Sequence, residues 1–308
     1  MNIIMKKKLI FWRKTTGDLT NDNFSEKPQY HAFFAKCNLV FDFRIANNSD
    51  AYVGDGVFKN VNKYENWKIV SAEDKFKADV VYQREILTTD DFDSAVPILD
   101  TPEFKEWCRD KWNQFLLLSK YMPKTFLIQT TKEFLDNMKN ITTYKAVIKP
   151  RQGKEGKNIV IFDKANPPNL NPDILAKHGY LLQEYTDTDV EIKNIVRGIH
   201  DIKLITMGGN FFANLRTPEP GKNYCTGDST YSEIPRRLLP QSILDLHREV
   251  SGKIDELYPD NFYTIDIGMA RNGLVIFELN GHTAFPYLHF SYADEFFDAM
   301  IAKLQSLR

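Results

Sequence analysis

The sequence predicts a mixed α/β (α+β) chain of three subdomains, and three observations carry that expectation. Short apolar strand signals run through the first part of the chain, a capped helix start at Thr101-Pro102 breaks the pattern, and two late hairpins place polar residues on otherwise apolar strands. Length agrees, because 308 residues with 43% hydrophobic content can bury more than one core. The boundaries that follow are an N-terminal α/β subdomain over 1–100, a central one over 101–185 and a C-terminal one over 186–308.

Within 1–100, strands are expected around 9–12, 39–45 and 80–82, among polar connections. At the first boundary Thr101 can cap a helix, Pro102 fits its first turn, and Phe104, Trp107, Cys108 and Phe115 supply one buried side. Thr130 and Glu133 then form a capping box, followed by strands at 146–149 and 158–162. A helix over 171–179 has Asn171 as its cap and Gly179 as its stop, and a strand over 180–185 follows directly. Near the C-terminal end Ile243, His247, Val250, Ile254 and Leu257 share one helical face, as do Phe297, Met300, Ile301 and Leu304; both are read as core. No repeat at solenoid spacing and no low-complexity tract interrupts this order.

Charge narrows the partners. With 40 basic against 41 acidic residues the chain has no global field to draw in nucleic acid or an anionic membrane, so small molecules held at local sites are expected. Lys6-Lys7-Lys8 precedes an apolar stretch too short for a secretory signal, and no segment is long enough to span a bilayer. Cys37, Cys108 and Cys225 form no CxxC pair, which suits reduced thiols and a cytoplasmic location.

Chemistry enters at Ala146-Val147-Ile148-Lys149-Pro150, where a strand delivers a lysine into the loop Arg151-Gln152-Gly153-Lys154-Glu155-Gly156-Lys157. Glycines let backbone N–H groups approach an anion, and the ammonium groups neutralise it, so the loop suits nucleotide phosphates; a solvated basic hairpin tip has the same composition. It is not a Walker A loop, because Gly156-Lys157 meets Asn158 and a strand rather than Ser or Thr and a helix.

Two hairpins follow. The strands 201–206 and 211–216 flank Met207-Gly208-Gly209-Asn210, and a two-residue Gly-Gly turn pairs Met207 with Asn210, Lys203 with Asn214 and Asp201 with Arg216. One face then carries Asp201, Lys203, Asn214 and Arg216, and the other carries Ile202, Leu204, Ala213 and Leu215. In the second hairpin, strands 262–267 and 274–280 are joined through Ala270-Arg271-Asn272-Gly273. Glu278 and Asn280 share a face, and Asp266 joins them if the loop has three residues, Arg271-Asn272-Gly273, or an equivalent bulge. Two carboxylates and an amide, all oxygen donors, suit magnesium, or manganese in its place.

The ordered series Arg109-Asp110-Lys111, Ile148-Lys149-Pro150, the loop from Gly153 to Gly156, Gln183-Glu184-Tyr185, Asp201-Ile202-Lys203, Arg216, Asp266 and Glu278-Leu279-Asn280 resembles the ATP-grasp superfamily. The similarity is strongest to its glutathione synthetase and ribosomal-protein glutamate ligase branch, and covers roughly residues 101–290. The resemblance implies an ATP-grasp fold with ATP between two α+β subdomains. It implies that Lys111, Lys149, Gly153 and Gly156 meet the phosphates, that Gln183, Glu184 and Tyr185 hold adenine, and that Asp201 or Glu191 takes the ribose hydroxyls. Asp266, Glu278 and Asn280 would bind the magnesium, while Lys203 and Arg216 would act as the catalytic cations. The chain departs from the branch in having lysine at 203, where arginine is common, and in a longer stretch over 187–198.

The implied activity is ATP-dependent carboxylate–amine ligation through an acyl phosphate, with small carboxylate and amine substrates or a peptide or protein acceptor. A kinase acting on a small-molecule hydroxyl and a non-catalytic nucleotide-binding regulator are the alternatives.

Overall fold

The computed structural model describes residues 5–13, 27–47, 49–84, 96–153, 158–207, 209–222, 224–225, 229–281 and 283–308. Its first sheet begins with β1 (Lys8–Arg13), whose Leu9, Ile10, Phe11 and Trp12 are all buried. A short apolar run buried on both faces belongs in the interior of a parallel sheet. The chain crosses through α1 (Pro28–Val40) to β2 (Asp42–Asn47), passes β3 (Tyr52–Gly54), β4 (Val57–Glu65) and β5 (Lys68–Lys77), and returns through β6 (Val80–Gln83) and β7 (Ile98–Leu99). β2, β1, β6 and β7 lie parallel in that order, with β4 antiparallel against β2.

Two expectations for this region need correction. Residues 39–40 are the last turn of α1 rather than the start of a strand, with Pro28 in the helix's first turn. The β4–β5 hairpin went unread, because its turn uses Asn66 and Trp67 at φ 50° and 64° with no glycine to announce it.

The helix expected from Thr101 is also two helices, α2 (Pro102–Arg109) and α3 (Lys111–Leu118). Thr101 caps the first as expected, but Asp110 takes an extended backbone and caps the second, its Oδ1 accepting from Trp112 N at 3.0 Å. The second sheet consists of β8 (Thr125–Ile128), β9 (Lys145–Pro150), β10 (Val160–Asp163) and β11 (Tyr180–Glu184), ordered β10-β9-β11-β8 and backed by α4 (Thr131–Met138) and α5 (Pro172–His178). α4 opens on the Thr130–Glu133 capping box, and Gly179 leaves α5 at φ 67°.

The third sheet holds β12 (Asp201–Met207), β13 (Asn210–Thr217), β14 (Thr230–Ile234), β15 (Phe262–Ala270) and β16 (Gly273–Asn280), in the order β14-β13-β12-β15-β16. Ile202, Leu204, Ala213 and Leu215 turn one face of it onto α6 (Gln241–Leu257). Ile243, His247, Val250 and Ile254 are buried there, whereas Leu257 is exposed because it lies in the helix's last turn. The last helix, α7 (Ala293–Ser306), packs Phe297, Met300 and Leu304 into one core with Phe33 and Phe34 of α1 and with Phe212 and Phe262 of the third sheet. The first and third sheets are therefore bound through α7 and through buried Asp100, whose Oδ1 accepts from Phe262 N at 2.8 Å. Among the described residues, no helix is long and apolar enough to cross a membrane, and the three cysteines are free thiols.

Candidate functional site

A cavity of about 790 Å³ separates the second sheet from the polar face of the third and reaches α1, α2 and the segment after β16. Alternation along the strands sets what faces it. The β12–β13 register pairs Asp201 with Arg216, Lys203 with Asn214 and Met207 with Asn210, the pairing expected of a two-residue turn over 208–209; Gly208 lies outside the described residues. β15 adds Asp266 beside Lys203, and β16 adds Glu278 beside Asp266. One row therefore runs Asn214, Lys203, Asp266, Glu278 across four strands, with Thr264 and Asn280 as the next pair on the same face.

The route to that row differs from the expected one. The loop has two residues, Arg271 and Asn272, closed by Ala270 and Gly273, not the three-residue loop through Gly273. That turn alone would face Asp266 with Phe277. A bulge between Asp266 and Ile267 on β15 and their β16 partners, Glu278 and Ile276, leaves Phe277 as the extra residue and restores the Asp266–Glu278 pair. The bulge has room because residue 268 is glycine: a Cβ there would lie 2.7 Å from Phe277 Cε2 and 2.5 Å from Thr188 Cγ2.

Electrostatics at the row are tightly compensated. Lys203 Nζ sits 2.6 Å from Asp266 Oδ1, and Arg216 Nη2 2.9 Å from Asp266 Oδ2. Burial raises the Asp266 carboxyl, but these two cations outweigh it and hold the group below the ordinary aspartate value. Arg216 is gripped from behind, donating from Nε and Nη2 to Asp201 at 2.6 Å each. Asp201 is itself pushed up by burial despite that partner. Nearer the second sheet, Lys111 Nζ lies 3.6 Å from Glu278 Oε2 and donates to the Gly153 carbonyl at 2.7 Å. Lys149 Nζ donates to the carbonyl of the bulged Phe277 at 3.4 Å; burial lowers its pKa to about 8, with Glu278 opposing and Lys111 adding to the effect. Among the described residues the cavity is lined by six cationic side chains, Lys105, Arg109, Lys111, Lys149, Lys203 and Arg216, and four carboxylates, Glu184, Asp201, Asp266 and Glu278, an excess of positive charge that suits an anion.

Most of the sequence-predicted residues line this cavity: Lys111, Lys149, Gly153, Gln183, Glu184, Tyr185, Asp201, Lys203, Arg216, Asp266, Glu278 and Asn280. Gly156 lies outside the described residues. Glu191 is not brought in; it is on the surface, 3.0 Å from Arg197 Nε. Asp201 lines the cavity, and each of its oxygens accepts from the Arg216 guanidinium. Glu184 likewise accepts from the backbone N and hydroxyl of Thr142, both at 2.7 Å.

Several positioning residues were missed. Gln114 of α3, 1% exposed, donates to Leu279 O at 2.9 Å and accepts from Leu279 N at 2.8 Å, pinning β16 between Glu278 and Asn280. Asp110 accepts from Arg151 Nε while capping α3, which ties the helix start that carries Lys111 to the end of β9. A buried Gln in a helix has no sequence signature. The Asp110 cap could have been found from its place between two helical runs.

The donor set fits a hard cation. Asp266, Glu278 and Asn280 offer oxygen only and share one face, and among the described residues no cluster of three His, Cys, Asp or Glu provides a rival site.

No protein-family model matches the chain, and no curated protein matches it by sequence. Solved structures do match in shape. D-alanyl-alanine synthetase A from Vibrio cholerae superposes with a TM-score of 0.64 at 12% identity, over 98% of this chain and 99% of its own. The VanG D-Ala:D-Ser ligase from Enterococcus faecalis gives 0.64 at 14% identity over 98% and 99%. The ATP-grasp ligase PsnB, complexed with a phosphomimetic variant of its minimal precursor, Mg and ADP, gives 0.61 at 10% identity over 97% and 99%. Agreement over essentially whole chains, three sheets included, shows that this chain is built on the ATP-grasp fold.

Proposed function

We propose that the protein is an ATP-dependent carboxylate–amine ligase. It would phosphorylate a carboxylate with ATP and let an amine attack the acyl phosphate, forming an amide or peptide bond and releasing ADP and phosphate. The observation that carries this reading is the row Lys203, Asp266, Glu278 with Arg216 behind it, facing Lys111 and Lys149 across one cavity. Fixed cations on both sides of a space suit a transferring phosphoryl group, whose charge grows on its equatorial oxygens.

In this reading Lys111, Lys149 and Gly153 hold the phosphates, and Gln183, Glu184 and Tyr185 border the adenine. Lys203 and Arg216 meet the γ-phosphate and then the oxyanion formed on amine attack. Because Asp201 holds Arg216 by a bidentate fork, the guanidinium keeps its orientation as charge moves. Asp266, Glu278 and Asn280 would hold magnesium, which supplies charge neutralisation at the phosphates. PsnB binds Mg and ADP beside its precursor, and the two D-Ala ligases join amino acids, which supports small amino acids and longer acceptors as the first substrates to try.

The test is phosphate release over pooled amino acids, dipeptides and small carboxylic acids, comparing wild type with Glu278→Ala. Release by wild type with an amide product, abolished in the variant, is expected. A phosphorylated small molecule with no amide would replace the ligase by a kinase. ATP binding without turnover on any pool would leave a nucleotide-binding regulator.

A further inference from the structure

The polar row has two unlike ends. At β16 it meets the cations of the second sheet, with Lys111 Nζ 3.6 Å from Glu278 and Lys149 Nζ at the Phe277 carbonyl. At β13 it ends on Asn214, one strand beyond Lys203. Strands lie about 4.8 Å apart, so Asn214 stands roughly 5 Å from Lys203 and roughly 10 Å from Asp266. A phosphoryl group passes between attacking and leaving oxygens that are roughly in line. With the nucleotide phosphates held at the β16 end, the attacking oxygen arrives from the side of Asn214.

Asn214 is 5% exposed and borders the cavity. The Tyr292 hydroxyl donates to its Oδ1 at 2.6 Å, and the Tyr292 ring is fixed by stacking on Phe212 at 4.9 Å. Burial raises the Tyr292 pKa, which keeps the hydroxyl protonated as a donor. With Oδ1 taken, Nδ2 is the group left to act. It has no hydrogen-bond partner among the described residues, yet it is not one of the enclosed polar atoms that they leave unsatisfied, so it keeps surface open to the cavity. The acid paired with Asn214 on β14, Glu233, is turned to Ser291 N at 2.5 Å. Beside the ammonium of Lys203 and the guanidinium of Arg216, the amide therefore adds an aimed N–H donor without adding charge.

We propose that Asn214 orients the carboxylate substrate, Nδ2 donating to one carboxylate oxygen while the other attacks the γ-phosphorus of ATP. The new O–P bond forms as the bond from the γ-phosphorus to the bridging oxygen breaks, and that oxygen leaves on ADP with the electron pair. The inference rests on the ligase reading and deepens it: the acid is received at the β13 end of the row, and Tyr292 is the positioning residue that turns the amide.

The experiment measures hydroxamate formation, with hydroxylamine as the amine, ATP, magnesium and each common amino acid in turn as the carboxylate, in wild type, Asn214→Asp and Tyr292→Phe. Aspartate keeps an acceptor for Tyr292 and removes the donor, so a purely structural role is spared. In Asn214→Asp the KM for the acid that wild type uses best should rise about tenfold or more, the worth of one hydrogen bond to a charged oxygen, with a smaller rise for ATP. Tyr292→Phe frees the amide to turn and should raise the KM for the acid by less, leaving that for ATP alone. An unchanged KM for the acid in Asn214→Asp overturns the proposal, as does an equal rise for acid and ATP. If Asn214→Asp does not fold, a KM for the acid in Tyr292→Phe equal to that of wild type overturns it. Absence of hydroxamate from wild type with every acid removes the ligase reading and Asn214 with it, whereas turnover indifferent to Asn214→Asp removes Asn214 alone.

Discussion

Gly268→Ala tests the link between packing and the metal row. The new methyl would lie 2.5 Å from Thr188 Cγ2 and 2.7 Å from Phe277 Cε2, where ordinary contacts begin near 3.4 Å. Both side chains are hemmed in, Thr188 by its bond to the His200 carbonyl and Phe277 by its place in the bulge, so each must retreat by up to about 1 Å. Overpacking of this kind costs about 1–3 kcal/mol. Phe277 is the bulged residue, so its displacement moves the Lys149 contact at its carbonyl and the neighbouring Glu278 together. Urea unfolding should show the stability loss, and Mg-ATP titration should show affinity reduced about tenfold or more. Gly252→Ala is the control: a Cβ there meets nothing within 4 Å in mid-helix, so it should stabilise by about 0.5–1 kcal/mol and leave ATP binding alone. If Gly268→Ala unfolds at the wild-type midpoint and binds Mg-ATP as tightly, the bulge is not held by this packing and the reasoning fails.

Asp201→Asn removes the charge behind Arg216 and turns an N–H2 toward a donor, which should destabilise the fold by about 3–5 kcal/mol and lower kcat more than it raises the KM for ATP; an unchanged kcat would remove its positioning role. Gln114→Leu strands Leu279 N and O at the edge of β16, for a loss of about 2–4 kcal/mol by urea unfolding and weaker magnesium dependence of ATP binding. Lys149, with its pKa lowered to about 8 from 10.5, penalises the folded state while protonated. Between those values the unfolded chain binds a proton that the folded chain does not, so this group makes stability rise with pH across the window, the opposite sign to its effect on ATP affinity, which falls as the ammonium is lost. Urea unfolding and ATP titration at about pH 7 and about pH 10 should show both trends, and Lys149→Met should flatten them.

What the amino-acid order determined by itself was local. Alternation put Asp201, Lys203, Asn214 and Arg216 on one face, and a glycine turn of known length set their cross-strand partners, because each rule acts within a few residues along a strand. The same rules named the Asp266–Glu278 pair but misplaced its cause. The turn at Arg271-Asn272 is shorter than expected, and the register is recovered farther along by a bulge that depends on the space over Gly268. Tertiary structure alone decided that bulge and the two-sided grip of Gln114 on Leu279. Each turns on which partner comes within hydrogen-bond reach across sheets far apart in sequence. No spacing rule encodes that, because it is set by how the sheets and helices pack.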